Sequence, residues 1–261
     1  MIRFALAAIV SSTLAAPATA DLNNRVRVTG GQTSVALNFD ALSAAAGLDL
    51  SSVSDAVILE GEIEGSVAFS INPRRAHDDL LPTRFRYDLG LFLDSFRGSI
   101  EHEGSVLFNH DAIEVGNFTI GFDADRAGTL DGNASGFFVE STVGVEAVLF
   151  DVANPSGLSP AGDRLLIEAD LLVSPEFAGL LLDLGLAHTD LSGVDVGDAL
   201  VNGDTRCSGA NTTDSNGVDF FDFRRYIFTY IVDAPAADFN GDGVRTPDDF
   251  FAFLATFAEC R

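Results

Sequence analysis

Within the stretch Asp238-Phe239-Asn240-Gly241-Asp242-Gly243-Val244-Arg245-Thr246-Pro247-Asp248-Asp249, oxygen-bearing side chains fall at positions 1, 3, 5, 9 and 12 of a twelve-residue loop. Ca²⁺ is a hard cation that takes about six to eight oxygens, and this spacing offers it Asp238, Asn240, Asp242, Thr246 and Asp249. Gly243 stands at position 6, where the chain must turn sharply, and Val244 at position 7 contributes its backbone carbonyl. Immediately downstream, Phe250, Phe253, Leu254 and Phe257 have the i, i+3, i+4, i+7 spacing of an amphipathic helix, so the loop is expected to open one.

A weaker copy lies upstream. Phe223, Tyr226, Ile227, Tyr230 and Ile231 repeat the apolar spacing of Phe250, Phe253, Leu254, Phe257 and Ala258 at a constant offset, and Thr212, Asp214, Asn216 and Gly217 precede them as Asp238, Asn240, Asp242 and Gly243 precede the later set. Asp222 is the counterpart of Asp249, but the first loop is one residue shorter and has Thr212 in place of Asp238. Charge count and ring geometry set calcium affinity, so this second site is expected to bind weakly or not at all.

Little else in the chain has the spacing of a reactive site. Glu101-His102-Glu103 and His110-Asp111 could hold a zinc-like ion if their strands paired, although a solvated strand face with a hairpin loop is the favoured reading. No nucleophile elbow, phosphate loop or metalloprotease His pair is present. With 39 acidic residues, paired carboxylates of the kind glycosidases use occur by chance and identify nothing. The arginines Arg74, Arg75, Arg84, Arg86 and Arg97 are offset by Asp78, Asp79, Asp88 and Asp94. A formal net charge of −24 argues against nucleic acid or anionic lipid as partner, because both need clustered basic residues.

The elements that must carry these loops fall into three regions. Residues 1–20, with Arg3 ahead of an apolar run and Ala18-Thr19-Ala20 before Asp21, have the form of a cleaved signal peptide, which predicts a secreted, extracellular or cell-surface protein. No later stretch is long and apolar enough to span a bilayer as a helix, so no membrane span is expected in the mature chain. From Asp21 to Arg206 apolar residues alternate with polar ones, as at Val35, Leu37 and Phe39, at Val67, Phe69 and Ile71, and at Phe85, Tyr87 and Leu89. About nine or ten strands separated by Asn/Asp/Pro/Gly turns predict an antiparallel β-sandwich or jelly roll for residues 21–206, with helices at Asp40 to Ala46 and Ser174 to Leu184. The last strand is expected near Val194 to Val201, and the polar segment Asn202 to Arg206 is read as the domain boundary. Residues 207–261 are expected to form a small helical module with EF-hand-type calcium loops.

Asp238, Asn240, Asp242, Gly243, Thr246 and Asp249, with the Phe-rich helices behind them, make this last fifth of the chain resemble a dockerin of the secreted GC-type dockerin domain-anchored kind. Glu259 precedes Cys260 where that variant has glycine, and the first loop is degenerate. The resemblance implies a calcium-folded module that attaches the protein to another protein or a cell-surface receptor, often in polysaccharide-degrading systems. The only two cysteines, Cys207 and Cys260, bracket the module, and in an oxidising compartment they are expected to pair as a disulfide. The expected function is therefore that of a secreted, calcium-binding, non-catalytic surface or matrix protein. A carbohydrate-binding module and a polysaccharide-active enzyme component are the alternatives; the first is disfavoured by the lack of tryptophan for stacking on sugars, the second by the missing catalytic constellation.

Overall fold

The structure, a computed structural model, describes residues 25–74, 76, 79–207, 210–213 and 218–259. The signal-peptide reading of residues 1–20 lies outside these, as do Arg75, Asp78, Asp214, Asn216, Gly217, Cys260 and the side chain of Cys207, so the expected disulfide and half of the weaker loop do too. In chain order the first elements are β1 (Arg25–Leu37), α1 (Phe39–Ala46), β2 (Leu50–Val53), β3 (Val67–Ile71), β4 (Arg86–Asp88) and the one-turn α2 (Phe92–Ser95). Next come β5 (Ile100–Glu103), β6 (Ser105–Phe108), β7 (Ile113–Gly116), β8 (Thr119–Phe122) and a tight turn, α3 (Thr129–Gly132), in which Leu130 and Asp131 are left-handed. β9 (Ala134–Ser141), β10 (Val143–Gly144), β11 (Ala147–Ala153), β12 (Gly157–Pro160) and β13 (Arg164–Val173) lead to α4 (Pro175–Asp183) and β14 (Asp195–Cys207). Helices α5 (Phe220–Ile231) and α6 (Pro247–Glu259) complete the described chain.

Eight strands pair antiparallel in the order β11-β9-β8-β5-β3-β1-β14-β13, and β13 pairs back onto β11 through Phe150↔Val173, Asp151↔Leu172 and Val152↔Leu171. That last contact turns an open sheet into a closed barrel, with β4 added at the start of β1 and β12 added to β13. This corrects the expected sandwich or jelly roll: period-two alternation puts every second residue inward in either architecture, and only the closing pair separates them. The expected helical module with EF-hand-type loops is corrected as well. The loop before α6 is entered from a 3-10 turn, Pro235–Ala237, and so is not framed by a helix on each side.

β1 and β14 form the longest seam, from Val26↔Cys207 to Leu37↔Gly197, and the polar segment Asn202 to Arg206 is part of that strand. Two glycines let the backbones meet there. Gly31 has φ 110° and a Cβ on it would lie 2.2 Å from the Asn202 carbonyl oxygen; Gly197 has φ 145° and a Cβ there would lie 2.1 Å from the Ala36 carbonyl oxygen. Any side chain at either position must push the seam apart.

The interior divides along the strands. At one end Val26, Val28, Leu165 and Val201 meet an aromatic plug from β4, α2 and the residues flanking them, in which Phe85, Tyr87, Phe92 and Phe96 pack with ring centroids 5.0 to 6.4 Å apart. At the other end Ala169, Leu171, Val173 and Val196 share a core with α1, α4 and the apolar face of a second, four-stranded sheet, β10-β7-β6-β2. The helices there have strong sequence stops: Asn38 caps α1, left-handed Gly47 ends it, and Ser174 caps α4 with Pro175 in its first turn. Arg126 fixes α4 to the barrel wall. Its guanidinium donates to both Asp151 oxygens on β11, at 2.6 and 3.0 Å, and to both Glu176 oxygens on α4, at 2.7 and 2.9 Å. Hydrogen bonding to Arg126 holds the Glu176 carboxyl below its usual range. No described helix is long and apolar enough to cross a membrane.

Candidate metal-binding site

The loop from Asp238 to Asp249 is shaped by side-chain oxygens that fold onto its own amides. Asp238 Oδ2 accepts from Gly243 N at 2.9 Å, Asn240 Oδ1 from Asp242 N at 3.0 Å, and Asp242 Oδ1 from Val244 N at 2.8 Å. Asn240 Nδ2 donates to Asp242 Oδ2 at 3.0 Å. Gly241 and Gly243 take left-handed φ of 74° and 84°, which lets the two Asx turns at Asn240 and Asp242 and the longer Asp238-to-Gly243 contact wind into a ring. Thr246 Oγ1 accepts from Asp248 N at 3.3 Å at the start of α6.

Asp249 is fully buried and faces the loop from the first turn of α6. Its Oδ1 accepts from Phe239 N at 2.8 Å and Asn240 N at 3.1 Å, and its Oδ2 from Thr246 N at 2.7 Å. Burial raises its pKa, but donation from the amides of Thr246, Asn240 and Phe239 outweighs burial and holds the carboxyl below its usual range. Asp222 repeats the device in the first copy. Its Oδ1 accepts from Thr213 N and Oγ1, each at 2.8 Å, and its Oδ2 from Asp219 N at 2.9 Å, with Thr212 Oγ1 donating to its backbone carbonyl at 3.0 Å. Asp219 and Asp222 together make a capping box for α5. The two helices then pack through Tyr226 stacked on Phe253, centroids 3.9 Å apart, with Phe239 edge-on to both.

One oxygen in this ring stands apart. Asp238 Oδ1 is buried and has no hydrogen-bond partner. A carboxylate oxygen withdrawn from water without a donor costs about 1–3 kcal/mol or more, and a hard cation is the partner that offsets this. Asp238, Asn240, Asp242, the Val244 carbonyl and Thr246 therefore fit a calcium ion in residue type, while Asp249 has one remaining acceptor position on Oδ2. Among the described residues no three His, Cys, Asp or Glu side chains converge as a metal cluster, here or elsewhere.

The other sequence candidates are held apart. β5 pairs with β3 and β8, and β6 with β2 and β7, so Glu101-His102-Glu103 and His110-Asp111 never face one another. Nor do Glu101 and His102 lie on a solvated face, since both are buried. Glu101 Oε2 accepts from Thr119 Oγ1 and Oε1 from Ser99 Oγ, while His102 points into the barrel between Thr33 Oγ1, 2.7 Å away, and the Phe118 carbonyl, 2.9 Å away. His110 sits in the left-handed run Asn109-His110-Asp111 that closes the β6–β7 hairpin, where Asp111 accepts from Ser52 Oγ. Sequence reasoning passed over the Thr33–His102 pair. Its signal was the alternation itself, which places His102 on the same face as Ile100.

Fold and loop define a closed, antiparallel eight-stranded β-barrel followed by two C-terminal helices, the second of them opened by an acidic loop. Among solved structures the chain is similar to the C-terminal domain of HtaA from Corynebacterium glutamicum, at 16% identity and a TM-score of 0.42, over 69% of this chain and 99% of that one. No family model and no curated protein matches the sequence.

Proposed function

We propose that this is a secreted, calcium-binding, non-catalytic protein whose barrel is held at a surface or in a matrix through its C-terminal segment. The reading is carried by Asp238 Oδ1, a buried carboxylate oxygen without a donor inside a loop whose ligand-type residues have calcium spacing. Asp238, Asn240, Asp242, the Val244 carbonyl, Thr246 and Asp249 would hold the ion, which would neutralise the loop and tie it to α6. Outside cells calcium is plentiful, so a site of modest affinity stays filled. Attachment to a protein or cell-surface receptor is supported by large side chains left in solvent on the two helices, among them Phe220, Phe228, Ile231 and Phe251.

Calorimetric titration of the full mature chain with Ca²⁺ tests this. Wild type is expected to bind one ion firmly. The double change Asp238→Ala and Asp242→Ala should weaken binding by about tenfold or more, because two of the three ligand carboxylates are lost. Asp214→Ala in the weaker loop should leave the firm site unaltered. Absence of saturable calcium binding, or an unaltered titration in the double variant, would overturn the proposal.

A further inference from the structure

Positive charge is scarce in this chain, and the fold gathers much of it in one place. Of 15 basic residues, set against a formal net charge of −24, six arginines line a single open pocket of about 450 Å³: Arg25, Arg27, Arg74, Arg84, Arg86 and Arg97. The pairing of three extended segments puts most of them there. Val26 and Val28 of β1, Tyr87 of β4 and Phe85 just before it are buried, so alternation turns Arg25, Arg27, Arg84 and Arg86 to the outer face. Arg27 stands opposite Arg86, and Arg86 opposite Arg97, which sets three arginines in a row across the segments. Gly98 allows the third segment its close approach, since a Cβ there would lie 2.5 Å from the Arg84 carbonyl oxygen. Arg74 joins from the chain that follows β3.

Like charges directly opposite one another on a sheet repel, and carboxylates do not relieve the repulsion here. No Asp or Glu lines the pocket among the described residues. Of the acidic residues that offset these arginines in the sequence, Asp88 accepts from Arg25 Nε at 3.4 Å, while Asp79 and Asp94 are not on the wall. Arg74, Arg84, Arg86 and Arg97 are exposed, and among the described residues their side chains have no hydrogen bond or ion pair. Guanidinium forks left in this state are donors for the paired oxygens of a carboxylate or a phosphate. Opposed side chains on a ladder start about 5 Å apart, so three arginines in a row can converge on one group. A terminal phosphoryl group has three oxygens to divide among them, whereas a carboxylate has two. Length is limited by the acidity of the chain as a whole: a long polyanion running beyond the pocket meets repulsion, and a compact anion that ends inside it does not.

We propose that this arginine-lined pocket on the outer face of the barrel binds a small polyphosphate, whose phosphoryl oxygens accept from Arg86 and Arg97 in the row and from Arg74 and Arg84 beside it. The ligand replaces the counter-charge that the chain itself does not supply at this face.

The test titrates the full mature chain calorimetrically, without added calcium, using tripolyphosphate, adenosine triphosphate, inorganic phosphate and acetate as probes. Tripolyphosphate should bind saturably and at least about tenfold more tightly than inorganic phosphate, because each further charge-assisted hydrogen bond is worth about that factor, and acetate should not saturate. Adenosine triphosphate binding no tighter than tripolyphosphate identifies inorganic polyphosphate as the ligand, and tighter binding identifies a nucleoside polyphosphate. The double change Arg86→Gln and Arg97→Gln should weaken tripolyphosphate by about tenfold or more without lowering the melting temperature, since neither side chain holds a partner in the fold. Arg224→Gln, on α5 and not on the pocket wall, should leave the affinity unaltered. If the double variant fails to fold, the order of the probes on wild type decides alone. No saturable binding of tripolyphosphate, phosphate or acetate bound as tightly, an unaltered affinity in the double variant, or an equal loss in Arg224→Gln would each overturn the proposal.

Discussion

Replacing Arg126 with methionine is expected to lower the free energy of unfolding by about 3–5 kcal/mol, read as a shift of the urea midpoint. The reason is the residue left behind. The Asp151 side chain on β11 is 1% exposed, and Arg126 is the cation that satisfies both its oxygens. Removing the guanidinium strands a charge in the barrel wall, next to the pairing that closes the ring. The partner on the other side matters much less: Glu176 is 48% exposed, water replaces what it loses, and Glu176→Gln should cost at most about 1 kcal/mol. The double variant Arg126→Met with Asp151→Leu should recover most of the loss, since a buried ion pair is about as stable as apolar side chains of similar volume. A small effect of Arg126→Met alone would mean that water reaches Asp151.

The second large effect is a dependence on pH. In the folded barrel His102 is buried, which lowers its pKa from 6.5 to about 4. Between those values the unfolded chain carries a proton on this ring that the folded chain does not, so acid draws the equilibrium toward unfolding. The contribution of His102 is intact above pH 6.5, declines as pH falls and is lost once pH passes below about 4. The full change amounts to about 3 kcal/mol. Carboxylates titrate at the lower end of the same range, so the contrast to measure is wild type against His102→Gln, with urea midpoints taken at neutral pH and near pH 4.5. Wild type should lose more stability than the variant by about 2–3 kcal/mol, and parallel losses would show that the imidazole protonates freely in the barrel.

How much of this was legible in the sequence depended on how far apart the deciding residues lie. Alternation located the strand at Val67, Phe69 and Ile71, and the helices expected at Asp40 to Ala46 and Ser174 to Leu184 match α1 and α4. Closure was not legible. It rests on Phe150, Asp151 and Val152 meeting Leu171, Leu172 and Val173, and no local pattern distinguishes strands whose sheet meets itself from strands that stack as two sheets. The polar tail of β14 reads as a domain boundary because Asn202, Asp204 and Arg206 are hydrophilic, yet these residues continue the antiparallel ladder with β1. At Glu101-His102-Glu103 three ionisable residues in a row suggested solvent. The inward direction of His102 follows only once Ile100 is known to face the core.

In the C-terminal segment the repeat was visible in the spacing, and Asp222 and Asp249 do occupy equivalent places. Their role was not visible, because ligand spacing says which oxygens can approach a point but not what already occupies them. Both carboxylates hold backbone amides of the loop in front of their helix. The oxygen without a donor is at the other end of the loop, on Asp238.

The seam between β1 and β14 also sets the order of events in folding. The barrel's first strand is hydrogen-bonded to its last, Val26 opposite Cys207, so the ring cannot shut until nearly the whole barrel sequence has emerged from the ribosome. Loop-closure entropy over such a separation is lost before the contacts that reward it form, and topologies of this kind fold in about milliseconds to seconds rather than microseconds. Until then β1 and β13 present unpaired edges with apolar faces, the condition under which strands find neighbours in other chains. Aggregation is therefore a hazard of the nascent barrel, and it ends when the ring shuts.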